Sequence, residues 1–176
     1  MFALLLATIL CATEPIPDGT LLFVEGGNQI VMDFTDSPYS HVAIIFNDDG
    51  IPYVYEAIKP FCRKVRLDKY MQQIEAENNT KDKAMSVWIR KPKKLDPEDS
   101  KKMKEYCEHH IGTKYRISSY LSGKSGKGIH CGELTARAMI CGGMHLQENP
   151  CKCSPQDIMD ISSKWYEKAK VLSRFP

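Results

Sequence analysis

Nothing in this sequence is long and apolar enough to cross a membrane as a helix. The longest apolar run, residues 1–12, falls well short of the about 20 residues a bilayer requires. Charge of one sign is also scarce: 24 Lys+Arg stand against 22 Asp+Glu, leaving a net charge of +2, which argues against a strongly basic nucleic-acid binder. The one basic crowd, 11 basic and 6 acidic residues between Lys81 and Arg116, reads as a solvated loop and helix face. No internal repeat or linker interrupts the chain. With 43% hydrophobic and 26% charged residues, a collagen-like repeat, a coiled coil and a disordered tail are excluded. Two familiar motifs fail on a missing residue. Ser122-Gly123-Lys124-Ser125 has Ser118 where a phosphate-binding loop needs glycine, and Cys151-Lys152-Cys153 lacks the Cys-x₂-Cys spacing usual for zinc. Neither a metal nor a cofactor is expected.

What is present is one domain's worth of ordinary globular sequence, 176 residues, long enough to bury a sizeable core. The run from Met1 to Ala12 has the length of a secretory signal's apolar region and is followed by polar, Pro-broken Thr13-Glu14-Pro15-Ile16-Pro17. Residues 1–17 are therefore expected to be a signal segment and residues 18–176 the functional domain. The protein is expected to be exported, to a periplasm or the extracellular space. A lipid anchor on Cys11 or a buried first element are the alternatives. Seven cysteines suit an oxidising compartment. Without Cys11 six remain, open to pairing or to work as free thiols.

Along the chain, Thr20 to Val24 reads as a buried strand closed by Gly26-Gly27, and the stretch from Asn28 to Tyr39 as polar and irregular. His41 to Phe46 and Tyr53 to Ile58 form a hairpin around Asn47-Asp48-Asp49-Gly50. Phe61 to Leu67, alternating apolar and basic residues, and Ala84 to Ile89 complete a small antiparallel sheet. Helices follow: one capped by Asp96 and started by Pro97, one from Cys131 to Gly142-Gly143, and one opened by Ser154-Pro155-Gln156-Asp157. The fold class is α+β, a small antiparallel sheet packed against helices.

Three residues carry chemistry by position. Cys131 follows a glycine-rich loop and begins a helix, where the positive end of the helix dipole and unpaired N–H groups favour a thiolate and supply oxyanion donors. His41 opens a strand and is placed to take the thiol proton. Glu56 lies in the next strand, placed to hold the other imidazole nitrogen and fix its tautomer. Catalysis would require the N-terminus of the Cys131 helix to pack against the start of the His41 strand, with His41 and Glu56 on one face of the sheet.

Asp18-Gly19-Thr20-Leu21-Leu22-Phe23, Tyr39-Ser40-His41-Val42-Ala43-Ile44, Tyr53-Val54-Tyr55-Glu56-Ala57, Gly112-Thr113-Lys114-Tyr115, Cys131-Gly132-Glu133-Leu134 and Ser154-Pro155-Gln156-Asp157-Ile158 together resemble the permuted papain-like amidases of the YaeF/YiiX type, within the NlpC-like superfamily. The resemblance runs in order over nearly all of the chain after Pro17. Histidine precedes cysteine, as in the permuted members. It implies a circularly permuted papain-like fold, with Cys131 as nucleophile, His41 as base and Glu56 as the third polar residue. Tyr39 and Tyr115, inside the matching motifs, are expected to bind substrate. The chain departs from the family pattern at Arg116, where aspartate is frequent, and at His130, where an aromatic residue usually precedes the nucleophile. The expected activity is cleavage of an amide or ester bond through a thioester. The partner would be a small peptide, amide or lipid-like substrate, with no nucleic acid and no stable membrane span. A catalytically silent module using the same cleft is the rival reading.

Overall fold

The computed structural model describes residues 15–80 and 84–175. The expected signal segment therefore lies mostly outside the described residues. The core is one six-stranded antiparallel sheet made of β1 (Thr20–Glu25), β2 (Tyr39–Asp48), β3 (Ile51–Ala57), β4 (Cys62–Arg66), β5 (Ser86–Arg90) and β6 (Lys170–Arg174). Its strand order is β4-β3-β2-β1-β5-β6. The β2–β3 hairpin turns through Asp49 (φ 50°) and Gly50 (φ 79°), the doubly left-handed corner that the sequence supplies with Asp-Gly.

Period-two alternation divides the apolar residues of the central strands between two cores. Leu21, Phe23, Val42, Ile44 and Phe46 face α3 (Pro97–His109), α5 (Cys131–Cys141) and α6 (Pro155–Ile161), meeting Met103, Ala138, Met139 and Ile158. Leu22, Val24, Ala43, Ile45 and Val54 face the other way, onto Tyr70 and Ile74 of α2 (Leu67–Asn78). The expected caps form. Asp96 accepts from the Glu98 N–H, and Ser154 and Asp157 complete a capping box.

Three expectations are corrected. The stretch after Asn28 is not irregular: α1 spans Gln29–Thr35, with Asn28 as its cap. Its apolar residues Ile30, Val31 and Phe34 recur at helical spacing, but none is buried, so they contribute nothing to a core pattern. Strand β6 was not expected, because Lys170–Arg174 is a mostly exposed edge with only weak alternation. A helix does cover the face carrying His41 and Glu56, but it is α2. The body of α5 packs on the opposite face. β2 and β3 pair only from Asp48–Ile51 to Ile44–Tyr55, and the first residue of α5 meets His41 beyond that limit.

Candidate active site

His41 and Glu56 are carried by neighbouring strands and meet directly, His41 Nε2 lying 2.6 Å from Glu56 Oε2. The other carboxylate oxygen accepts from Arg63 Nε at 2.7 Å. Arg63 stands opposite Glu56 in the β3–β4 register and donates onward to Gln73. The Glu56 side chain is fully buried. A buried carboxylate without partners would take up a proton, and burial alone does push its pKa up. The hydrogen bond from His41, then the His41 and Arg63 charges, outweigh burial and hold the carboxyl below its ordinary value. Both oxygens are thus engaged, which fixes the imidazole's plane. Nδ1 is the nitrogen left for another partner.

That partner is Cys131. It is 5% exposed and lies against the imidazoles of His41 and His130. Burial, the largest influence, disfavours the thiolate. The two adjacent imidazoles and their charges outweigh it and bring the thiol down to about 5. The same contact acts in reverse on His41. Burial disfavours its cation, but the adjacent Cys131 and Glu56 and their charges raise it to about 10. Near neutrality the pair is therefore a thiolate and an imidazolium.

The start of α5 is built around His130. Its Nδ1 accepts from the Glu133 N–H at 3.3 Å, as an N-cap does, and its Nε2–H donates to the Cys151 carbonyl at 3.0 Å. Both bonds fit the neutral tautomer protonated at Nε2, and both nitrogens are satisfied in it. The adjacent thiolate favours a second proton and shifts the His130 pKa upward against its burial. The Leu134 N–H is bonded to the His130 carbonyl. The N–H groups of Cys131 and Gly132 are the first two of the helix, which have no acceptor within it. They are the donors an oxyanion would use. Gly132 is required sterically, since a Cβ there would sit 1.9 Å from the Cys153 carbonyl oxygen. The 3₁₀ turn Pro150–Lys152 and Cys153 therefore brace the helix start from behind. Glu133 adds a further tie: its Oε1 accepts from Arg137 Nε at 3.0 Å and from the Cys151 thiol at 3.3 Å.

Two clefts converge on the pair. One includes His41, Ser40, Lys59, Arg63, Gln73 and Glu77 in its lining. The other includes Cys131, Ile30, Val31, Phe34, Ile117 and Tyr120. Tyr115 and Val31 border both. Tyr115 is therefore at the site, as expected. Tyr39 is not: it lines neither cleft, and its ring packs on Phe23 at 5.7 Å between centroids. Tyr39 and His41 are two positions apart and plain alternation would put them on one face, but the strand bulges at Ser40, where Val24 pairs with His41 and Glu25 with Tyr39, and this turns Tyr39 to the other side.

Sequence reasoning missed Arg63 and assigned no role to His130. Arg63 was within reach, because antiparallel pairing sets a basic residue of the alternating β4 opposite Glu56. His130 had only its place before Cys131 to mark it, and histidine is not a favoured cap. The six cysteines among the described residues are free thiols.

Residues 15–141 match the sequence profile of a family described as permuted papain-like amidase enzymes, YaeF/YiiX, C92 family. A crystal structure described as the metalloprotein YiiX from Escherichia coli O157:H7 is similar at a TM-score of 0.67 and 17% identity. The match covers 92% of this chain and 99% of that one; at that identity the likeness speaks to the fold. No curated protein matches the chain in sequence. Among the described residues, no three His, Cys, Asp or Glu side chains are grouped to hold a metal ion, so the donor set here does not fit a metal centre.

Proposed function

The chain belongs to the permuted papain-like amidase family and is a cysteine hydrolase of that kind, and we propose that it cleaves an amide or ester bond through a thioester on Cys131. The observation that carries this reading is the buried contact of Cys131 with an imidazole whose far nitrogen is held by Glu56 at 2.6 Å. The thiolate attacks the substrate carbonyl carbon. The tetrahedral oxyanion lies against the Cys131 and Gly132 N–H groups. As the C–N or C–O bond breaks, the imidazolium of His41 gives its proton to the leaving group. Water then enters, loses a proton to His41 and displaces the sulfur, which releases a carboxylic acid. Glu56 keeps the imidazole oriented and stabilises its cation through both steps. Arg63 holds Glu56 charged.

We further propose that residues 1–17 are a signal segment that directs export, which the N-terminal sequence of the mature protein tests.

Treatment with an activated acyl probe, followed by peptide mapping, tests the enzyme reading. The expected result is an acyl group on Cys131 that hydroxylamine removes and that is missing after Cys131→Ala. Labelling of another cysteine with equal speed, or a stable adduct that never turns over in the native protein, would overturn it.

A further inference from the structure

The two clefts divide the site chemically. The one holding Cys131 excludes His41 and is walled by Ile30, Val31, Phe34, Ile117 and Tyr120. Ile30 is 81% exposed and Phe34 50% exposed, and α1, which carries both, buries no residue. Large apolar side chains left in water around a reactive sulfur are costly unless something apolar covers them in use. Phe34 and Tyr120 already pack against each other at a tilt, with ring centroids 5.6 Å apart, so the wall is preformed. The cleft holding His41 differs. It too has apolar walls, among them Val24, Ile58, Ile74 and Met85, but Lys59, Arg63, Gln73 and Glu77 add hydrogen-bonding groups and charges of both signs that the other cleft lacks.

The chemistry proposed above decides which part of a substrate enters each. In the first step the acyl carbon becomes bonded to Cys131 Sγ and stays there. The leaving nitrogen or oxygen must meet the proton of His41 and departs on that side. We infer that the substrate is an acyl amide or ester with an apolar chain, whose acyl group lies in the Ile30–Phe34–Tyr120 groove, and whose polar amine or alcohol leaves through the Lys59–Arg63 cleft. This rests on the Cys131–His41 reading and adds the substrate class and its orientation. Peptides with charged or small side chains on the acyl side fit the groove poorly, because it offers them almost no polar partner.

The rate of Cys131 alkylation by N-methyl, N-butyl, N-octyl and N-dodecyl iodoacetamide tests this without a known substrate. Each methylene taken out of water is worth roughly fourfold in binding, so even partial burial should raise the second-order rate at least about tenfold from N-methyl to N-octyl. Ile30→Ser combined with Phe34→Ser, both on the exposed face of α1, should lower the octyl-to-methyl ratio, with circular dichroism checking the fold. A flat series with a reactive Cys131 overturns the acyl-groove inference and leaves the hydrolase reading standing. A rising series that the double variant does not flatten places the chain elsewhere and also overturns it. A Cys131 inert to every probe removes both.

Discussion

Two buried cysteines lie at opposite ends of helices that pack against each other. Cys107 is in the last turn of α3, 2% exposed, and Cys131 is in the first turn of α5, 5% exposed. By burial alone they would be indistinguishable. Burial drives the Cys107 thiol far above its ordinary value, and its other neighbours, the Cys62 and Cys141 thiols and the Glu108 carboxylate, push it the same way with no cation to oppose them. Cys131 meets the same desolvation and ends at about 5. The difference lies in which helix end presents itself and in two imidazoles. A thiol at a C-terminal turn looks toward carbonyls, one at an N-terminal turn toward N–H groups. Low dielectric strengthens whichever charge is closest, so the same dry surroundings that silence Cys107 strengthen the Cys131–His41 ion pair.

Removing His41 should break the contrast most severely. In His41→Ala the Cys131 thiol loses one of its two imidazole partners and its pKa moves toward that of Cys107. Turnover of a responsive acyl substrate should fall by about 10³ or more, and pH-dependent iodoacetamide labelling should show the alkylation midpoint shifted upward. A midpoint still near 5 would mean that His130 and the helix end suffice. Glu56→Gln should have a smaller effect, roughly a hundredfold in kcat, because the imidazole keeps its place but loses the charge that steadies its cation. Full activity in that variant would reduce Glu56 to a buried strand residue.

The pH profile sharpens the same comparison. Cys131 is depressed, so the thiolate is present above about 5 and lost as pH falls through it. His41 is raised, so the proton needed by the leaving group is present below about 10 and lost as pH rises through it. A kcat/KM profile should therefore be bell-shaped with limbs near those values, each falling about tenfold per pH unit beyond its limb. Cys107 should remain unlabelled across the plateau. Smallest is the expected effect of His130→Ala. Loss of the cap and of the Cys151 anchor should cost about 1–2 kcal/mol in urea unfolding, and His130→Asn should recover part of it.

Much of this was legible in residues alone. Cys131, His41 and Glu56 stand at the start of a helix, the start of a strand and mid-strand, and local patterning fixes such positions. Alternation correctly placed His41 and Glu56 on one face. Which helix covers that face was not legible, since α2 follows β4 directly and its charged residues mask Tyr70 and Ile74 in the sequence. α1 escaped notice for the opposite reason: its apolar side chains point into solvent and the groove, so they make no core periodicity. Tyr39 was misplaced because the bulge at Ser40 reverses the alternation that would otherwise put it on the His41 face, and nothing in the sequence marks that bulge.

The brace behind Gly132 also orders events during synthesis. The carboxylate, the imidazole and the arginine that holds them charged are all encoded before α2. The nucleophile, and after it the Cys151–Cys153 turn that fits against Gly132, come in the last third of the chain. Domains assemble from the N-terminus as the ribosome delivers them. Because a domain folds as a unit, the acid–base residues leave the ribosome first but the site is complete only after residue 153 has emerged and can close behind Cys131.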